Sequence, residues 1–180
     1  NIVNKVDKDN IGQIIDGDAI ITNEKNVPLL ILTADCVPVV LVDKVNKAVG
    51  LVHAGWRGTY GKICSETLQS MKENYNTNPE DVVAIIGPSI GKCCYEVSYD
   101  LVEKFSALLP NADEKIYEIR DEKYYLDLWE INTQILKEFG VLKSNIINMN
   151  ICTSCNCDRF FSYRKHDKTT KRIGTFIEIK

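Results

Sequence analysis

The chain has 180 residues, 44% of them hydrophobic and 26% charged, a balance that supports one globular domain with a sizeable core. Its formal net charge of −3 leaves no broad basic field to hold a nucleic-acid backbone or an anionic membrane surface. The apolar runs at 27–32 and 37–42 are too short to span a bilayer, so neither nucleic acid nor membrane is an expected partner, and a cytoplasmic location is expected.

Residues 1–6 read as a strand already in progress, and residues 19–22, 29–33, 37–42 and 48–52 follow as further strands. Their nearly unbroken apolar character predicts burial on both faces. Lys44-Val45-Asn46-Lys47 is a polar turn that makes a hairpin of the last two. After Gly58 the spacing turns helical, with Ile63, Leu68 and Met71 apolar and Thr59 the expected N-cap. A strand is predicted at 82–86, a helix at 98–109 stopped by Pro110, and a strand pair within 117–126. A third helix over 128–139 ends at Gly140, and strands at 145–151 and 173–179 complete the pattern. No repeat or linker divides the chain, so residues 1–180 are expected to form a single domain. Strands outnumber helices without alternating regularly with them, which favours an α+β layered sandwich with a mixed sheet over a doubly wound parallel one.

Seven cysteines are an odd number in a chain too large to need staples, which favours reduced thiols over a disulfide scaffold. With two histidines, His53 and His166, a metal site built from this chain alone must rely on sulfur or carboxylate for most of its ligands.

Thr33-Ala34-Asp35-Cys36-Val37-Pro38 places an acid and a thiol between two apolar strand runs, where polar groups need a reason. His53-Ala54-Gly55-Trp56-Arg57-Gly58-Thr59 joins the next strand to a helix. Its glycines permit close backbone approach, while Arg57 and the amides at Gly58 and Thr59 could hold a phosphate or carboxylate. Pairing around the 44–47 turn would bring Cys36 and His53 together. Three readings are then open: a buried structural pair, a Cys–His nucleophile, or two ligands of a zinc ion with an open position.

The loop from Gly87 to Val97 carries two glycines, a proline, Cys93, Cys94 and Tyr95. The thiols read as packing groups, whereas Tyr95 could stack on a planar base. Cys152-Thr153-Ser154-Cys155-Asn156-Cys157 contains CxxC and CxC spacings but lacks a second such pair, so structural zinc is not expected there. Phe160-Phe161-Ser162-Tyr163-Arg164 reads as a strand with inward rings and an Arg164 able to clamp an anion. Residues 165–172 read as a solvated basic loop, and Cys64 and Trp129 as packing residues.

At Asp35-Cys36-Val37-Pro38, at residues 53–58, at residues 86–97 and at residues 160–164 the chain resembles the YfiH family, the laccase-domain or polyphenol-oxidase-like proteins. Asp127-Leu128-Trp129 and Cys152-Thr153 also match family positions. The resemblance implies the family's own α/β sandwich, here without its N-terminal strands, and a zinc site of His, Cys and His. By position, Cys36 and His53 match two of the zinc ligands. The third, a histidine in a Gln-Val-His type motif, is expected upstream of residue 1. Cys155 and Cys157 match no family motif.

The implied activity is phosphorolysis of adenosine, inosine, guanosine or methylthioadenosine, with possible adenosine deamination, so purine nucleosides and phosphate are the expected partners. Cys36, His53 and Asp35 are the expected catalytic residues, Asp35 carrying protons or supporting a ligand. Arg57, Gly58, Tyr95 and Arg164 are expected to bind substrate. Two histidines cannot furnish the imidazole array of a multicopper oxidase, so laccase chemistry is not expected. The rivals are a metal-independent cysteine hydrolase or deamidase using Cys36 and His53, and a catalytically inactive nucleotide- or protein-binding domain.

Overall fold

The computed structural model describes residues 1–112 and 115–180. Its first half runs β1 (Val3–Lys5), β2 (Ala19–Thr22), β3 (Leu29–Thr33), β4 (Val37–Asp43), β5 (Ala48–Ala54), α1 (Trp56–Tyr60), α2 (Ile63–Tyr75) and β6 (Val82–Ile86). The second runs β7 (Glu96–Val97), α3 (Tyr99–Leu108), β8 (Tyr117–Arg120), β9 (Lys123–Leu126), α4 (Leu128–Phe139), β10 (Ile146–Asn148) and β11 (Ile173–Ile177).

Six strands form a mixed sheet in the order β1-β2-β5-β4-β6-β10. The outer pairs β1–β2 and β6–β10 are parallel, and the inner pairs are antiparallel. The period of two along β5 sorts its side chains. Ala48, Val52 and Ala54 join Ile63, Leu68 and Met71 of α2 and Ile131 and Ile135 of α4 in one core, while Val49 and Leu51 pack with Val27 and Leu29 on the opposite face. Full burial of one such side chain is worth about 1.5–3 kcal/mol, so the central strands are held from both sides, as their apolar sequences require.

The β4–β5 turn is closed by buried Asp43, whose carboxylate accepts the backbone N–H groups of Val45 and Asn46 and the Asn46 amide, each at 2.9 Å. No helix among the described residues is long and apolar enough to cross a membrane.

Four local expectations are corrected. β3 is not covered on both faces: it pairs antiparallel with β11 in a separate two-stranded sheet, leaving Leu30, Leu32 and Phe176 exposed. The helix after Gly58 is two helices, broken at Lys62, which takes a left-handed conformation (φ 56°). Thr59 is therefore no cap; it lies buried inside α1 and donates from its hydroxyl to the Ala54 carbonyl. Residues 160–164 form turns and bends instead of a strand, with Phe161 exposed.

Candidate functional site

The β4–β5 register sets Pro38 opposite His53 and Val37 opposite Ala54, which carries Cys36 and Gly55 to the same end of the hairpin. A Cβ on Gly55 would lie 3.1 Å from Cys36 Sγ and 3.9 Å from His53 Nε2. The thiol and the imidazole nitrogen thus border one small volume that glycine leaves open. Both residues are half-buried, and the chain of His53 is pinned by its N–H donating to the Asp18 carbonyl at 2.8 Å.

Asp35, one residue before Cys36, is buried and left-handed (φ 78°). Its carboxylate accepts from Thr153 Oγ1 at 2.6 Å, Ser162 Oγ at 3.0 Å and the Arg164 N–H at 2.7 Å, and its carbonyl accepts the Ile90 N–H at 2.9 Å. One residue therefore ties the end of β3 to the 87–97 loop, the 152–157 turn and the 160–164 segment. Charge-assisted bonds of this kind are about twice as strong as neutral ones.

Those ties set the positions of the aromatic and basic groups. Tyr95 is buried, and the Arg164 guanidinium lies over its ring at 5.3 Å while donating to the Glu96 carbonyl at 2.9 Å. With Arg164 over it, that ring face is not open for a planar base to stack on. Burial pushes its phenol up to about 12; the Arg164 and Arg57 charges lower it, while Cys36 and Asp35 raise it. Arg57 is exposed and stacks on Trp56 at 4.4 Å. Gly58 is buried against Ile63 and the His53 carbonyl, and the Thr59 N–H is spent on the Gly55 carbonyl at 2.8 Å. Gly58 therefore shapes the turn, and the Thr59 amide is not available to an anion.

Arg172 is the residue that sequence reasoning missed. Its positive charge acts on both Cys36 and His53, while its exposed guanidinium donates to the Thr169 and Lys171 carbonyls of its own loop at 2.8 and 3.0 Å. Burial and the Asp35 charge raise the Cys36 thiol against the pull of Arg172. Burial and Arg172 lower the His53 imidazole against Asp18. Neutral thiol and neutral imidazole are the favoured forms, the reverse of the thiolate–imidazolium pair that a cysteine nucleophile needs.

His166 stands apart, its Nδ1 accepting the Ser162 N–H at 3.1 Å. Trp129 braces the 87–97 loop: its Nε1 donates to Ser89 Oγ at 2.6 Å, and a Cβ on Gly91 would come within 2.7 Å of its ring. Cys64 is buried and donates to Asn132 Oδ1 at 3.4 Å, as a core thiol should. The sequence has no second CxxC or CxC spacing, but the vicinal Cys93 and Cys94 meet Cys152 and Cys155 in one group able to hold a metal ion, so the spacing argument against a metal there does not hold. Among the described residues, no third His, Cys, Asp or Glu forms such a group with Cys36 and His53.

A profile of the family described as "Multi-copper polyphenol oxidoreductase laccase" matches residues 1–180. The chain is 39% identical over 163 residues to purine nucleoside phosphorylase YlmD of Bacillus subtilis, covering 91% of this chain and 59% of that protein. It is 42% identical over 165 residues to a purine nucleoside phosphorylase of Bacteroides thetaiotaomicron, covering 90% and 60%. The crystal structure of the Bacillus licheniformis hypothetical protein YfiH superposes with a TM-score of 0.93 at 33% identity, covering 99% of this chain and 70% of that one. The chain thus spans less than two thirds of the length of those two phosphorylases.

Proposed function

The chain belongs to the multi-copper polyphenol oxidoreductase laccase family, the YfiH proteins it resembles in sequence, and from that premise we propose that it acts as a zinc-dependent purine nucleoside phosphorylase. The observation that carries the reading is that the Cys36 thiol and the His53 imidazole border one volume left open at Gly55, while Asp35, the residue before Cys36, anchors the segment that lays Arg164 over Tyr95. A thiol, an imidazole and three guanidiniums suit an anionic co-substrate beside a metal.

In this reading Cys36 and His53 supply two zinc ligands, with a third protein ligand from outside residues 1–180. The volume kept open by Gly55 suits an ion between them. Bound zinc would supply Lewis-acid stabilisation of developing negative charge. Arg57, Arg164 and Arg172 hold orthophosphate and aim one oxygen at ribose C1′ of adenosine, inosine, guanosine or methylthioadenosine. The new C1′–O bond forms as the C1′–N9 bond breaks, and the base leaves with the electron pair and takes up a proton. Tyr95, its phenol held up to about 12 by burial, stays protonated at neutral pH and donates a hydrogen bond to the anion. Asp35 positions Arg164 and Cys36. With three donors on its carboxylate already, it is poorly placed to carry protons, which puts phosphorolysis ahead of adenosine deamination.

The test is base release by protein expressed from the complete reading frame, with and without phosphate. Release is expected only with phosphate, and Cys36→Ala and His53→Ala are each expected to lose metal and more than about 100-fold in rate, beyond what outer ligand supports cost. Undiminished phosphorolysis by either metal-free variant overturns the zinc assignment.

A further inference from the structure

The sulfurs of Cys93, Cys94, Cys152 and Cys155 all lie within 4.8 Å of one another. Cys155 Sγ is 3.4 Å from both Cys93 Sγ and Cys94 Sγ. We propose that these four thiols form a second metal site, a closed tetrathiolate zinc centre that braces the loop carrying Tyr95. The proposal concerns other residues than Cys36 and His53 and stands whether or not the phosphorylase reading does.

A tetrahedral zinc with Zn–S bonds of about 2.3 Å has S···S edges of about 3.8 Å. Two of the separations are 3.4 Å and none exceeds 4.8 Å, so shifts of about 1 Å or less in each S···S distance seat the ion. The backbone is already fixed. Ser89 and Cys152 are bridged as parallel neighbours, the Ser89 N–H donating to Ile151 at 3.1 Å and the Thr153 N–H to Ser89 at 3.0 Å. A turn from Gly91 to Cys94, closed at 2.9 Å, brings the vicinal cysteines to the same group, and the Asn156 N–H closes on the Cys152 carbonyl at 3.1 Å.

Four thiolates around a divalent ion carry a net charge of −2, and the surroundings offset it. The Gly91 N–H points at Cys152 Sγ at 3.3 Å. Arg120 donates to the Lys92 and Cys93 carbonyls at 2.8 and 3.2 Å, which sets a guanidinium beside the cluster. Amide-to-sulfur bonds and a neighbouring cation are the outer supports that thiolate metal sites use.

A disulfide explains the arrangement less well. All four cysteines are free thiols, and a single disulfide would join Cys155 to one neighbour and leave the other two sulfurs converging without a reason. Four soft thiolate ligands select zinc or iron over magnesium or calcium, and four protein ligands leave no open position, which marks a structural site. Cys94 precedes Tyr95, and Cys152 precedes Thr153, which donates to Asp35. The ion would therefore lock together two of the segments that the Asp35 carboxylate and carbonyl join. Binding releases the thiol protons to solvent.

The test uses the Cys36→Ala protein, purified anaerobically, so that the first site does not contribute. About one zinc per chain is expected, retained through gel filtration and lost in the Cys36→Ala/Cys152→Ser and Cys36→Ala/Cys155→Ser double variants. Should those variants fail to fold, cobalt titration of chelator-stripped Cys36→Ala protein decides. Tetrahedral d–d bands with charge-transfer intensity appropriate to four thiolates support the site. Absence of those bands, a red iron chromophore in place of zinc, or a Cys155 disulfide to Cys93 or Cys94 in the anaerobic protein overturns it.

Discussion

At Gly55 the space that a Cβ would fill is bordered by both Cys36 Sγ and His53 Nε2, and the backbone there (φ −66°, ψ 171°) is one that alanine adopts freely. Gly55→Ala should therefore fold normally and fail chemically: metal content and turnover are expected to fall at least about tenfold, equivalent to about 1.4 kcal/mol of barrier, while the melting temperature stays nearly unchanged. Full activity in that variant would show that nothing needs the volume between thiol and imidazole. Asp35, Cys36, His53 and Arg57 stand out in the sequence because they interrupt or follow apolar strand runs. Arg172 was silent: it sits among Lys168, Thr169, Thr170 and Lys171, a composition indistinguishable from a solvated loop, and only the folded chain brings its charge to the site. For Tyr95 the sequence suggests a stacking ring and hides that one ring face is covered, because the guanidinium over it comes from a residue 69 positions away.

The elements are held to one another by buried carboxylates at their ends. Removing the Asp35 side chain leaves Thr153, Ser162 and the Arg164 amide without their acceptor and puts alanine at a left-handed φ of 78°. At about 1–3 kcal/mol for each unmet buried donor, Asp35→Ala should lose at least about 3 kcal/mol in urea unfolding; a loss below about 1 kcal/mol would mean that these segments are held by other contacts. Asp43 gives the hairpin a pH dependence. Burial raises its carboxyl, but the hydrogen bonds from Asn46 and Val45 outweigh this and hold it below its ordinary value of 3.8. A carboxyl lowered by folding stabilises the protein above its unfolded pKa, and the contribution disappears as pH falls through the lowered folded value. Asp43→Asn, compared with the parent chain, should be less stable at neutral pH, with the gap closing only below about pH 4. A gap independent of pH would show that the charge plays no part. The hairpin itself was readable from the polar 44–47 turn, but the break between α1 and α2 was not, since Lys62 gives no local sign of its left-handed turn.

Across the whole molecule, the mixed sheet followed from strands outnumbering helices and from the runs at 37–43 and 48–54, whose residues on alternate faces feed two cores. The placement of β3 did not follow. Leu29-Leu30-Ile31-Leu32 is apolar at every position, so its pattern cannot reveal that one face is left exposed beside β11. The convergence of four thiols was equally hidden, because Cys93-Cys94 is a vicinal pair and its partners lie about 60 residues on. What the folded chain adds to the sequence is a common location. The hairpin end, the 87–97 loop and the 160–164 segment meet at Asp35, the residue before Cys36, and Arg164 is brought over Tyr95 beside it. The account's central claim is that this meeting point brings phosphate to ribose C1′. Turnover of inosine with phosphate carrying 18O in all its oxygens measures this directly. Ribose 1-phosphate is expected, with the ester oxygen at C1′ derived from the labelled phosphate. Free ribose bearing oxygen from water, with the labelled phosphate unchanged, would contradict it.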